Sequence, residues 1–274
     1  MLRSKGAGLP AALELAARAA AAPLLARMDA DDEALPDRLE RQADFLSGRP
    51  DLAACGCRVR LFPDSRIGMG YRRYERWLNG LLEPEAVRRD LFVECPIAHP
   101  TLMIRADVLR ALGSYRDAGW PEDYDLLLRL HRAGLRAANL PETLLRWRVR
   151  PGRHSLVSSA YAPDSFRRCK VHFMVSGELP ECRALVVWGA GRVGKPLVRE
   201  LIRQGRRPAA FVDVDPRKIG QEIHGLPVLP PAGLADHPGA YVLVAVGAPG
   251  AREEIRGELR ALGREELRDY RVAA

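Results

Sequence analysis

No stretch of about 18 uncharged apolar residues occurs anywhere in the chain, so no transmembrane helix is expected. The Ala-rich N-terminal stretch behind Arg3 and Lys5 is interrupted by Glu14 and Arg18, which leaves no clean apolar region for a signal peptide. Cysteine is sparse and odd in number: Cys55, Cys57, Cys95, Cys169 and Cys182. Cys55-Gly56-Cys57 has no second Cys pair or His pair at zinc spacing, so buried free thiols in a reducing cytosol are expected. Lysine is scarce beside arginine, and the arginines are scattered rather than gathered on one stripe. No nucleic-acid-binding motif appears, so the net charge of +8 does not imply a nucleic-acid partner. A basic balance also suits anionic lipid or phosphate-bearing substrates.

What is present is enough chain, 274 residues with 47% hydrophobic, for about two packed domains. Residues 10–22 read as a helix opened by Pro10, and Leu24 to Met28 as a buried strand. A second helix follows Pro36 and ends near Gly48, and 52–61 suggests a strand. Tyr71 to Leu82 reads as a polar helix, His99 to Arg105 as a strand, and Asp107 to Leu112 as a short helix stopped by Gly113. Residues 122–133 form a strong helical pattern, and 150–168, rich in Pro, Gly, Ser and Arg, reads as a loop or arm. After a linker at 176–180 the pattern changes. Strands at 184–188, 209–214 and 241–246 alternate with helices at 195–204 and 251–262, the signature of a doubly wound parallel sheet. The domains are placed at 1–175 and 183–274.

Two groups of acids stand out. Asp29-Ala30-Asp31-Asp32 places three carboxylates just past a buried strand. Their mutual repulsion would be relieved by a hard divalent cation with phosphate co-ligands, or the segment is simply an acidic turn before the next helix. Glu122-Asp123, after Trp120-Pro121, is explained by first-turn preference for acids, or by a general base taking a proton from a sugar hydroxyl at Asp123.

Several blocks occur in a fixed order: Ala26-Arg27-Met28-Asp29-Ala30-Asp31-Asp32, Leu35-Pro36-Asp37-Arg38-Leu39-Glu40-Arg41-Gln42, and Pro96 to Arg105 around His99-Pro100-Thr101. Leu112-Gly113-Ser114-Tyr115 and Glu122-Asp123-Tyr124-Asp125-Leu126 with Arg129-Leu130 follow. As a set, over about residues 6–155, they resemble the centre of a family-2 glycosyltransferase. The resemblance implies an α/β chain with an incomplete GT-A (nucleotide-diphospho-sugar transferase) domain, and inverting transfer from a nucleotide-diphosphate sugar to a glycan or glycoconjugate. It implies that Asp29 and Asp31 hold Mg²⁺ or Mn²⁺ against the diphosphate and that Asp123 is the catalytic base. It places Asp32, Glu122, His99 and His154 among the substrate contacts, the two histidines on the acceptor and phosphate sides. The family's opening strands, ending in a Pro-x-Tyr-Asn-like motif and in acids that hold base and ribose, have no counterpart here. The expectation is an unpaired sheet edge, with a partner as one source of the missing part. The implied location is cytoplasmic, at the inner face of the membrane if it touches one.

Gly189-Ala190-Gly191-Arg192-Val193-Gly194 follows an apolar strand and opens a helix, the context of a dinucleotide or nucleotide site. Asp213 ends the next strand, where a ribose-binding acid belongs. Phe211 to Gly220 and His224 to Val228 are similar to two groups: the N-terminal domain of bacterial sugar acyltransferases and the cofactor-like domain of membrane sugar-nucleotide dehydratases. The ligand they imply is a nucleotide sugar or NAD(P) in a small Rossmann-like domain. No Tyr-x-x-x-Lys pair follows, which argues for binding without redox chemistry. Three readings stand: a metal-dependent glycosyltransferase, a degenerate transferase acting as a nucleotide-binding module, and, on the Gly-rich turn alone, an NAD-dependent oxidoreductase or epimerase.

Overall fold

The computed structural model describes residue 6 and residues 8–153 and 157–274. The chain forms two compact units. One takes in the chain up to Leu91 together with Cys95–Phe166; the other comprises Phe92–Glu94 and Arg167–Ala274. The expected boundary lay at 176–182.

The first unit is a five-stranded mixed sheet. Its strands are β1 (Leu24–Ala26), β2 (Glu33–Ala34), β3 (Leu52–Phe62), β4 (Met103–Arg105) and β5 (Arg136–Arg148), in the order β1-β4-β3-β5-β2. β3 and β5 pair in parallel; the other neighbours are antiparallel. Strand β3 is apolar on both faces because both are covered, with Leu52, Ala54, Cys55, Cys57 and Val59 buried. β1 lies at one edge, and its ladder extends one residue through Arg27 N–H to Leu102 O at 2.8 Å.

Strand β5 was not anticipated. Its register against β3 jumps from Cys57 opposite Leu140 to Arg58 opposite Thr143, so Pro141 and Glu142 bulge out of the ladder. A proline is tolerated there because its position needs no ladder N–H. Arg58 spans the bulge, donating to Pro141 O at 3.0 Å and to Asn79 O at 2.8 Å. Helices α1 (Gly8–Ala19), α2 (Arg38–Gly48), α3 (Met69–Asn79), α4 (Pro84–Asp90), α5 (Ala106–Ala111) and α6 (Glu122–Arg132) complete the unit. The 150–168 segment is not wholly a loop: α7 (Pro163–Phe173) begins within it, opened by a proline at its first residue.

The second unit holds β6 (Leu185–Trp188), β7 (Ala210–Val212), β8 (Glu222–Ile223), β9 (Leu226–Leu229), β10 (Tyr241–Val244) and β11 (Tyr270–Val272). The order is β11-β10-β6-β7-β9-β8, parallel except for the β8–β9 pair. The five parallel strands follow the doubly wound order, with the topological switch between β6 and β10. Val186, Val187, Phe211, Val212, Val242 and Leu243 are fully buried, as continuous apolar strands under helices on both faces must be. Helices α8 (Gly194–Arg203) and α9 (Ala251–Ala261) supply part of that cover. All five cysteines are free thiols; four are buried and Cys182 is exposed.

Candidate functional site

The acidic turn leaves the end of β1. Its backbone is held from behind by the buried Arg38 of α2, whose guanidinium donates to Arg27 O at 2.7 Å and to Gln42 Oε1 at 2.9 Å. The acids then part in environment. Asp29 is paired two-pronged with Arg27, at 2.8 and 2.6 Å. Asp31 accepts from Arg150 Nε at 2.5 Å, and that bond holds its carboxyl below the ordinary range. Glu33 pairs with Arg146 at 2.5 Å.

Asp32 differs. It is 7% exposed, its Oδ1 accepts the Arg148 N–H at 2.8 Å, and its Oδ2 is buried with no hydrogen-bond partner. Burial, against the opposing Arg148 N–H and reinforced by the charges of Asp29 and Asp31, raises its carboxyl to about 6. An orphaned buried oxygen beside two accessible carboxylates is a hard-oxygen donor set, of the kind that suits Mg²⁺ or Mn²⁺. Among the described residues no three His, Cys, Asp or Glu side chains converge to hold a metal by themselves. A cation here would draw its remaining ligands from phosphate oxygens and water.

The second acidic group opens α6. Glu122 is 1% exposed and accepts from Tyr161 Oη at 2.9 Å; His99 Nδ1 lies 3.6 Å from the same oxygen. His99 Nε2 and Tyr115 Oη are 3.1 Å apart. Burial, with the nearby Arg27 charge, pushes the His99 imidazole well below its ordinary pKa, so it is neutral. Burial likewise pushes the Tyr115 and Tyr161 hydroxyls up, with the charges of Glu122 and Asp123 adding to it. Asp123 is half-buried and its Oδ1 accepts the Tyr124 N–H at 2.7 Å. The helix start is fixed by a buried ion pair, Arg129 Nε to Asp125 Oδ2 at 2.7 Å. Arg129 also donates to the carbonyls of Leu112 and Ser114, fastening the Gly113-Ser114 turn to α6.

Arg27 links the two groups: it pairs with Asp29 and its charge reaches His99 and Tyr115. Asp29, Asp31 and Asp32 lie on one turn, and buried His99 sits beside Glu122, with the Arg27 charge bearing on both groups. His154 lies outside the described residues. Arg27, Arg148, Arg150, Tyr115 and Tyr161 were not singled out from the sequence. Arg148 ends the unanticipated strand β5, and Arg150 follows it, so only the pairing of β5 would have found them.

In the second unit the Gly-rich turn sits at the switch between β6 and β10. Gly189 has φ +117°, and a Cβ on it would meet Ala245 O at 2.7 Å. A Cβ on Gly194 would meet Gly189 O at 1.7 Å. Packing therefore explains both. Gly191 is different: its Cβ would meet only Lys218 Nζ, at 3.9 Å, an ordinary van der Waals contact. Asp213 closes the turn, accepting from Ala190 N–H at 2.8 Å, Asp215 N–H at 2.9 Å and Lys218 Nζ at 3.0 Å. Burial alone would raise its carboxyl, but these three donors outweigh it and hold it below the ordinary range. Gly189, Gly191, Gly194 and Asp213 are brought together as the motif requires.

Residues 1–113 match the family described as Glycosyl transferase family 2. The amylovoran biosynthesis glycosyltransferase AmsE of Erwinia amylovora is 31% identical over 145 residues, covering 53% of this chain and 52% of its own. The O-antigen biosynthesis glycosyltransferase WbnJ of Escherichia coli is 35% identical over 130 residues, covering 46% and 47%. Over these residues the chain is similar to members of glycosyl transferase family 2. The chain spans about half the length of these curated relatives. Among solved structures, the mannosyltransferase PcManGT from Pyrobaculum calidifontis, in complex with GDP-Man and Mn²⁺, has a TM-score of 0.40 and 16% identity, covering 74% of this chain and 46% of its own. No helix among the described residues is long and apolar enough to cross a membrane.

Proposed function

We propose that the first unit carries the active site of an inverting glycosyltransferase that moves a sugar from a nucleotide-diphosphate donor to a glycan or glycoconjugate acceptor in polysaccharide or O-antigen synthesis. The observation that supports this most is the joining of two acidic groups through Arg27: a phosphate-side turn at Asp29–Asp32 and a base-side helix start at Glu122-Asp123. Asp123 takes the proton of the acceptor hydroxyl as its oxygen bonds to the anomeric carbon. The bond from that carbon to the diphosphate oxygen breaks on the opposite face, and its electron pair leaves with the diphosphate. The macrodipole of α6 favours the carboxylate at Asp123. Glu122, fixed by Tyr161, holds the helix start in place. Asp29 and Asp31, with Asp32 behind them, are the residues that would hold Mg²⁺ or Mn²⁺, which supplies charge stabilisation to the leaving diphosphate. The reaction belongs on the cytoplasmic side, where nucleotide sugars are made, with peripheral contact to the membrane if the acceptor is lipid-borne.

The test is calorimetric titration of Mn²⁺ in the presence of UDP or GDP. Asp31→Ala is expected to abolish binding seen in the wild type. Equal affinity in both proteins would remove Asp31 from the site, and a wild type that binds no cation would favour the degenerate reading.

For the second unit the reading is a nucleotide-binding module, for a nucleotide sugar or NAD(P). It is favoured by Gly191, the one glycine of the turn that neither a clash nor φ accounts for, with the Lys218 ammonium 3.9 Å from its Cβ position. Backbone N–H groups at the start of α8 and a nearby ammonium suit a diphosphate.

A further inference from the structure

Two arginines occupy carboxylates that a cation would use, Arg27 on Asp29 and Arg150 on Asp31; Arg27 is 11% exposed at its side chain, whereas Arg150 is 49% exposed. Asp31 is 35% exposed at its side chain, the most accessible carboxylate of the turn after Asp29, and Arg150 Nε occupies its Oδ2 at 2.5 Å. A guanidinium there takes the lone pairs that a divalent ion would use. Arg150 is itself half-exposed, is anchored by no other hydrogen bond among those resolved here, and is followed at once by Pro151 and by Gly152 at φ +73°. Behind it, Arg148 is tied down: its Nε donates to Asp31 O at 2.7 Å, its N–H to Asp32, and its guanidinium lies 4.3 Å over the Phe62 ring. Arg153 lies 4.6 Å over Trp147, and its charge reaches both Asp31 and Asp32. So Arg148 and Arg153 are braced by rings while Arg150 between them is held by Asp31. Asp32 keeps an unpartnered buried oxygen beside it.

We propose that Arg150 is an exchangeable internal counter-ion: it neutralises Asp31 while the site is without donor, then yields that carboxylate to the divalent cation and turns to the donor's diphosphate. The inference rests on the cation reading above. No bond is made or broken covalently; one ion pair is exchanged for two. Exposed ion pairs of this kind are weak, so the exchange is readily reversible. A guanidinium also suits phosphate at least as well as carboxylate, because its planar fork presents paired donors to either.

The exchange predicts effects of opposite sign in one variant. Arg150→Ala is expected to bind Mn²⁺ alone about two- to fivefold more tightly than wild type, the range set by losing a surface ion pair. With inorganic pyrophosphate present, the same variant is expected to bind Mn²⁺ about tenfold more weakly, because a charge-assisted contact to the diphosphate is gone. Arg150→Lys is expected to lie between. The readout is Mn²⁺ affinity by calorimetry or by the loss of free-ion paramagnetic resonance signal, with no turnover needed. Unchanged affinity in both conditions, in a wild type that titrates normally, overturns the exchange and leaves the cation site standing. Weaker binding in both conditions makes Arg150 a fixed support and equally overturns it. If neither wild type nor variant takes up Mn²⁺ in either condition, the cation reading fails and the exchange with it.

Discussion

At the residue scale, buried groups around the site trade stability for chemistry. His99 is buried against Glu122 and Tyr115, with the Arg27 charge nearby. Its pKa in the folded chain lies well below the ordinary imidazole value, so between the two values the unfolded chain binds a proton that the folded chain refuses. Stability must therefore fall as pH drops below about 6.5, the unfolded value. His99→Gln, which can still bond Tyr115, is expected to lose less melting temperature between pH 7.5 and pH 5 than the wild type, by about 2 °C or more. Equal losses would show that the imidazole is not held neutral. Asp29, Asp31, Asp32, Glu122 and Asp123 stand out in the sequence as candidates because they cluster in short acidic runs. Their arginine partners were not, because arginine is abundant throughout and nothing local separates Arg150 from the rest.

At the element scale, the glycines of the β6–α8 turn divide by role, and the division can be measured. Gly194→Ala would drive a methyl to 1.7 Å from a backbone carbonyl of Gly189, so it is expected to destabilise the second unit by about 3 kcal/mol or more. Gly191→Ala is expected to leave the melting temperature within about 1 °C, a surface-sized effect, while weakening whichever of UDP, GDP or NAD⁺ stabilises the wild type. Loss of stability in Gly191→Ala would return that glycine to a packing role. The Gly-rich turn and its flanking elements were readable because strand, turn and helix are adjacent in sequence. Strand β5 was not: Asn139, Pro141 and Glu142 break its alternation, and only the bulge opposite Cys57–Arg58 reconciles them with a strand. The β8–β9 pair and β11 are two to four residues long, below the length at which periodicity carries a signal.

At the scale of the whole molecule, the two units differ in what they ask of the chain. The second draws in Phe92–Glu94 and begins at Arg167, inside α7. Lys170, on that helix, is half-buried and donates to Val93 O at 3.1 Å and Ala273 O at 2.8 Å; desolvation lowers its ammonium to about 8. A fragment from Arg167 to the C-terminus, about 110 residues, is therefore expected to melt higher than one from Arg183, within the ordinary size of a domain. A fragment from Arg183 of equal stability would restore the boundary expected from composition.

In the proposed function the first unit transfers sugar with Asp123 as base. The most direct measurement is the rate of sugar transfer by wild type and Asp123→Asn, with nucleotide-sugar affinity measured in parallel. Asn keeps the shape and the hydrogen bond to Tyr124 N–H but cannot take the proton. Turnover is expected to be lower by about a hundredfold or more at nearly unchanged donor affinity, since the diphosphate would be held through a cation at Asp29 and Asp31. Near-normal transfer by the Asn variant would contradict it.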